Sequence, residues 1–197
     1  MSEDGEPKQG HARALDEWER MGLDKRIEYD NLRRVFERLD LKKDDRIDKF
    51  ELKAQYDVLG HKPRPTTEYG LSEVEDIIWE VDEDANGWID WENFVQLYLR
   101  CRKDRTGKEP TRLFNLIEFM VCDKDGGGTM SEDECMEILY HRFGKEVMKD
   151  LTDQLFKRKV DEAEKEFTFT EFLKLVDGNN GILSSHLKKM NKQQDKK

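Results

Sequence analysis

An all-α protein assembled from four copies of one helix–loop–helix unit is what this sequence predicts, and three observations carry the prediction. A stripe of apolar residues at helical spacing occurs four times, and each stripe runs into a polar, turn-forming loop. The loops begin at residues 40, 82, 123 and 160, spacings of 42, 41 and 37 that define a self-similar unit. Hydrophobic residues make up only 36% of the 197 and charged residues 41%, which suits short amphipathic helices better than one thick core.

The elements follow in order. Residues 1–24 open as a polar tail, expected to be disordered to Gly10, after which Leu15, Trp18 and Met21 recur at the spacing of a short amphipathic helix packed on its own domain. Leu32, Val35, Phe36 and Leu39 form the first stripe, ahead of Asp40. Val74, Ile77, Ile78 and Val81 repeat it ahead of Asp82, and Leu113, Phe114, Ile117 and Met120 ahead of Asp123. Leu151, Leu155 and Phe156 form the fourth, ahead of Val160. Each marks a helix with one buried face. Breakers in Gly60-His-Lys-Pro-Arg-Pro separate the first two units, and Ser72 with Glu75 is a capping box that opens the next helix. Residues 99–110 hold five basic and two acidic residues with Gly107 and Pro110, the composition of a linker. The stretch after Gly181 carries five Lys against one Asp, with Leu183, Leu187 and Met190 at helical spacing. It is expected to be a frayed basic tail.

The third loop is the most informative. Asp123, Asp125, Ser131 and Glu134 fall at positions 1, 3, 9 and 12 of a twelve-residue frame, with Gly128 at position 6, where the chain turns sharply. This pattern resembles the calcium loop of an EF-hand, in which hard oxygen ligands surround a hard cation. The same frame fits the other three loops, so the resemblance to calmodulin-like and troponin C-like EF-hand proteins covers residues 25–177. It implies that the four units pair into two lobes, residues 25–98 and 111–177, joined by the basic linker 99–110 and flanked by the tails 1–24 and 178–197. It implies too that the apolar residue at loop position 8 (Ile47, Ile89, Met130, Phe167) pairs with its counterpart in the neighbouring hand through a short antiparallel strand.

The resemblance also ranks the loops as calcium sites. The third offers Asp123, Asp125, the Thr129 carbonyl, Ser131 and the bidentate Glu134, and lacks a side chain only at Gly127; it is the best site. The second offers Asp82, Asp84, Asn86, the Trp88 carbonyl and Asp90, but Asn93 stands at position 12 with Glu92 one place early. Weaker binding follows there, with magnesium competing. The first offers Asp40, Asp44, the Arg46 carbonyl, Asp48 and Glu51, yet Lys42 puts an ammonium at position 3 and Asp45 replaces the turn glycine, so a silent or very weak site is expected. The fourth keeps Glu162, Glu164 and Glu171 but has Val160, Lys165 and Thr168 at positions 1, 6 and 9, and is expected to be structural only.

A net charge of −10 fits cation binding and argues against nucleic acid as partner. No apolar run approaches the roughly 18 residues of a membrane span. Three cysteines without framework spacing point to a reducing cytoplasmic setting, with Cys122 and Cys135 flanking the third loop as candidates for redox tuning. Scattered histidines and the lack of any phosphate loop or zinc pattern speak against an enzyme. Aromatic residues (Phe36, Phe50, Trp79, Trp88, Trp91, Phe94) gather in the first half, whereas Met120, Met130, Met136 and Met148 lie in the second. This asymmetry leans toward a dedicated partner. The expected function is that of a monomeric calcium sensor or regulatory subunit gripping an amphipathic target helix in an apolar groove. The alternative is a constitutive adaptor in a cytoskeletal or ciliary axonemal assembly, where degenerate loops of this kind resemble those of other EF-hand proteins.

Overall fold

The computed structural model describes residues 25–66, 70–104, 108–155 and 165–176, with 146–155 as backbone alone. Expectations for the tails 1–24 and 178–197, for Phe156, and for Val160, Glu162 and Glu164 lie outside these residues. The described chain is mostly helical: α1 Lys25–Leu39, β1 Arg46–Ile47, α2 Lys49–Val58, α3 Glu73–Val81, β2 Ile89–Asp90, α4 Trp91–Lys103, α5 Thr111–Cys122, β3 Thr129–Ser131, α6 Glu132–Leu155, β4 Glu166–Thr168 and α7 Phe169–Val176. They divide into two compact units, one within Met1–Val58 and Lys62–Ile117, the other within Leu59–His61 and Glu118–Lys197.

In the first unit the stripes turn inward as their spacing requires. Leu32, Val35, Phe36 and Leu39 are buried, as are Val74, Ile77, Ile78 and Val81. The ring of Phe36 meets Trp91 and Phe94 edge-on, with centroids 5.4 and 5.3 Å apart, an arrangement favoured by the ring quadrupoles. Phe50 and Trp79 do not join this cluster: they are 68% and 77% exposed. Trp79 falls off the 74/77/78/81 face, so helix geometry sends it to solvent, and the aromatic gathering read from sequence is partly a surface feature.

Two strand pairs close the loops. Ile47 faces Ile89 in an antiparallel β1–β2 pair of the first unit, and Met130 faces Phe167 in the β3–β4 pair of the second. All four of these side chains are buried, so each pair joins two loops by backbone hydrogen bonds and an apolar contact together. Around Phe119 the second unit packs Phe169 and Phe172, with centroids 5.2 and 5.9 Å away.

Helix ends follow their sequence signals. Ser72 accepts from the Glu75 N–H at 3.3 Å while Glu75 accepts from the Ser72 N–H at 2.9 Å, the reciprocal cap expected for α3. The basic stretch 99–110 begins as helix, because α4 continues to Lys103 and places Arg100, Arg102 and Lys103 in its last turn, where the helix dipole favours cations. Arg100 pairs with Glu109 at 3.1 Å and with Glu83, and Arg102 pairs with Glu28. Much of this basic charge is therefore answered within the first unit. A break that the stripes do not reveal lies in α6: Gly144 has φ 77° and ψ 174°, dividing the element into two helices.

Two outcomes follow from these termini. A Cβ at Gly144 would meet no atom within 4 Å, so Gly144→Ala costs conformational energy alone, about 1–3 kcal/mol for a backbone region that is essentially glycine's, measurable as a lower urea midpoint. A hydrogen bond from Lys49, reinforced by the Ser72 cap, holds the Glu75 carboxyl down at about 2. A depressed folded value contributes stability above the unfolded pKa of about 4.3, and that contribution fades as pH falls toward the folded value. Glu75→Gln is thus less stable than the parent chain at pH 7, and the gap narrows as pH drops from 4 toward 2 in parallel urea titrations.

Candidate metal-binding loops

Three of the loops repeat one local geometry. The first-position carboxylate turns back into its own loop and accepts the backbone N–H of position 6, and in the first two loops that of position 5 as well. Asp40 takes those of Asp44 and Asp45 at 3.2 and 3.0 Å, and Asp82 those of Asn86 and Gly87 at 3.1 and 2.7 Å. Asp123 takes that of Gly128 at 3.2 Å. Closing so tightly needs left-handed backbone at positions 4 and 6. Lys43 and Asp45 supply it in the first loop, Ala85 and Gly87 in the second, Gly126 and Gly128 in the third. Position 6 is legible from sequence. Position 4 escapes sequence reasoning, and Gly126 is the one signal that marks it.

The first loop brings its carboxylates closest together. One oxygen each from Asp40, Asp44 and Glu51 lie within 4.8 Å of one another, the one such group of three among the described residues. Glu51 is almost wholly buried and accepts the N–H groups of Lys42 and Asp48 at 2.9 and 3.0 Å. Asp48 caps α2, accepting from Phe50 and Glu51 N–H at 2.8 and 3.1 Å through one oxygen, and binds the Lys42 ammonium through the other. That hydrogen bond, donated to Asp48, holds the Lys42 ammonium above the usual lysine range. For Asp48 itself, burial pushes upward, and the Lys42 bond together with the Glu51 and Phe50 N–H bonds outweighs it, leaving the carboxyl below its ordinary range. Arg46, whose carbonyl counts as a ligand, lays its guanidinium over the Trp88 ring at 4.6 Å.

The second loop is crossed by an amide. Asn93 at position 12 donates to Asp84 at position 3 over 3.2 Å, and Asn86 donates to the other Asp84 oxygen at 2.8 Å. Loss of hydration pushes the Asp84 carboxyl up, but these hydrogen bonds win and leave it below the ordinary carboxylate range. Asp90 serves as N-cap of α4, accepting from the Asn93 N–H at 2.9 Å. Trp88 donates its N–H to the Asn86 side-chain oxygen at 3.1 Å.

In the third loop Asp123 is buried and Asp125 exposed, the latter accepting the Gly127 N–H at 3.0 Å. Glu134 accepts the N–H and hydroxyl of Ser131 at 3.0 and 2.9 Å, so it serves as half of the expected capping box. Thr129 reaches across the strand pair to Glu166 at 3.0 Å. Thr168 and Glu171 repeat the cap at 3.0 Å in the fourth unit. The donors of the second and third loops are carboxylate, amide and carbonyl oxygens, a set that fits a hard divalent cation. In the first loop an ammonium shares the space.

These are paired helix–loop–helix units with oxygen-rich, glycine-turned loops joined across two-stranded ribbons. Residues 29–99 match the EF-hand domain pair family. The Arabidopsis thaliana protein named "Probable calcium-binding protein CML25" is 33% identical over 115 residues, 58% of this chain and 56% of that protein. Calcium-dependent protein kinase 10 of the same organism is 29% identical over 150 residues, 76% of this chain and 25% of the kinase. This chain thus spans just over half of the first relative and a quarter of the kinase. These similarities support the EF-hand superfamily.

The thiols beside the third loop are free. Burial pushes Cys122 and Cys135 up to about 12, so neither holds a useful thiolate population near neutrality. Both are expected to resist a disulfide-exchange reagent at pH 8 until urea unfolds the chain, and calcium titrations with and without reductant to superimpose.

Proposed function

We propose that this protein binds calcium through its EF-hand loops and acts as a sensor or regulatory subunit for a protein target. The carrying observation is the recurrence, in three loops, of an inward first-position carboxylate held by the position 6 N–H, and in two of them by that of position 5 as well, over left-handed turns. The third loop is the principal site: Asp123, Asp125, the Thr129 carbonyl, Ser131 and Glu134 are its ligands, and Glu134 leaves its cap on Ser131 to clamp the ion. The second loop is a weaker site where magnesium competes, since Asn93 offers one neutral oxygen in place of a carboxylate. Four hands in two lobes is part of this reading, with the fourth hand completing the second pair through β3–β4.

The calcium that would sit there supplies charge neutralisation and a fixed set of oxygen vectors. Motion of α6, which carries Glu134, is the output, and a groove opened in this way suits the apolar face of an amphipathic helix. Exposed Trp79, Phe50 and Val58 offer further apolar surface on the first unit. The chain acts as a single copy in the cytoplasm, a setting that its free thiols support.

A second reading is favoured by one observation. Asn93 at position 12 donates a neutral hydrogen bond across the second loop to Asp84 at position 3, as a scaffold loop would. On that reading the protein is a constitutive adaptor, held in a cytoskeletal or ciliary assembly with or without calcium.

Calorimetric titration of the intact chain with calcium at physiological magnesium decides between them. The sensor reading expects at least one site, lost in Glu134→Gln, and a calcium-dependent rise in binding of an apolar dye. Absence of any calcium site sinks it; a site without new apolar surface favours the adaptor.

A further inference from the structure

We propose that the first loop carries its cation covalently: the Lys42 ammonium takes the role of a divalent ion and keeps this hand closed without metal. The inference rests on the reading of these loops as cation-binding, and goes beyond it by assigning one of them a permanent occupant.

Three carboxylates whose oxygens lie within 4.8 Å repel one another unless a positive charge stands among them. Two of them, Asp40 and Glu51, are buried to within a few per cent, so water cannot do the screening. Lys42 stands at position 3, where the other two closed loops have Asp84 and Asp125. Its Nζ pairs with Asp48 at position 9 and lies 4.0 Å from Glu51 Oε2 at position 12, while its own N–H donates to the other Glu51 oxygen. One side chain therefore bridges positions 3, 9 and 12, as a bound cation would.

The loop is otherwise closed as its two counterparts are, although it lacks both glycines. Lys43 and Asp45 hold φ of 57° and 60°, which ordinary side chains adopt at a cost. An internal ion pair that closes the loop offsets that cost. Arg33 of α1 reaches Asp45 at 3.3 Å, so a further cation answers the loop from outside, and the Lys43 ammonium ties loop position 4 to the Glu37 carbonyl. The benefit passes along the ribbon: Arg46 and Ile47 pair with Asp90 and Ile89, so a first loop fixed in register pre-arranges its neighbour.

The test uses the full chain with Lys42→Met, Lys42→Asp and Lys42→Asp/Glu51→Gln. Lys42→Met, which keeps length and removes charge, is expected to lower the thermal midpoint in EDTA by roughly 5 °C and to regain it when calcium or magnesium is added. Lys42→Asp is expected to bind one more calcium than the parent chain by calorimetry, and Lys42→Asp/Glu51→Gln to lose that gain. In the parent chain Glu51→Gln leaves calcium stoichiometry unchanged. The proposal is overturned if Lys42→Met in EDTA is as stable as the parent, if Lys42→Asp gains no site, or if Glu51→Gln removes a site from the parent. A parent chain that binds no calcium while Lys42→Asp binds one refutes the sensor function and leaves this assignment standing.

Discussion

A carboxylate turned into a tight loop sets the terms for the rest of this structure. Asp40 and Asp123 are almost wholly buried, and a buried anion is costly unless hydrogen bonds or a counter-charge satisfy it. Backbone N–H groups, at positions 5 and 6 for Asp40 and at position 6 for Asp123, provide the first part of the compensation, and they reach the carboxylate only if the chain turns through left-handed conformations at positions 4 and 6. That turn delivers position 8 into an extended segment, where Ile47 meets Ile89 and Met130 meets Phe167. The ribbons then fix where the flanking helices start, and the apolar stripes pack from there. Charge in the loop and apolar burial in the core are thus parts of one arrangement.

Much of this is legible in the sequence because it depends on short-range periodicity. The first three stripes are buried as their spacing requires, the Ser72–Glu75 and Ser131–Glu134 caps form, and every position 8 residue faces the partner expected from the family pattern. What spacing does not show depends on direction. Trp79 lies in a helix rich in buried neighbours, yet one residue of rotation beyond Ile78 places it in solvent. The basic residues near 100 resemble a linker by composition, but as the last turn of α4 they have partners in Glu28, Glu83 and Glu109. Gly144 gives no compositional warning, since a single glycine within a helical pattern is tolerated often enough to pass unnoticed.

The loops also show why ligand identity alone ranks sites poorly. By residue type the first loop is compromised, and yet it gathers three carboxylates more closely than the others do among the described residues. By residue type the loop from Asp82 is orthodox through position 9, and yet Asn93 ties position 12 to position 3 with a neutral hydrogen bond. The loop from Asp123 has the full set of terminal carboxylates but uses Glu134 in its own helix cap. Position 12 is engaged differently in each: Glu51 accepts the Lys42 and Asp48 N–H groups, Asn93 donates its amide to Asp84, and Glu134 accepts from Ser131, partners it is able to exchange for others.

That last difference bears on how a signal could arise. A loop whose cation is part of the chain has one state, and the ribbon from Ile47 to Ile89 imposes that state on its neighbour. Glu134 differs because its present partners, the Ser131 N–H and hydroxyl, each contribute only roughly 1.5–3 kcal/mol net, small enough for a divalent ion to displace them. Since Glu134 sits in the first turn of α6, its movement carries the helix, and Cys135 and Leu139, buried on the same element, move with it. A fixed first pair and an adjustable third loop are what a protein needs if one part is to hold a structure constant while another responds.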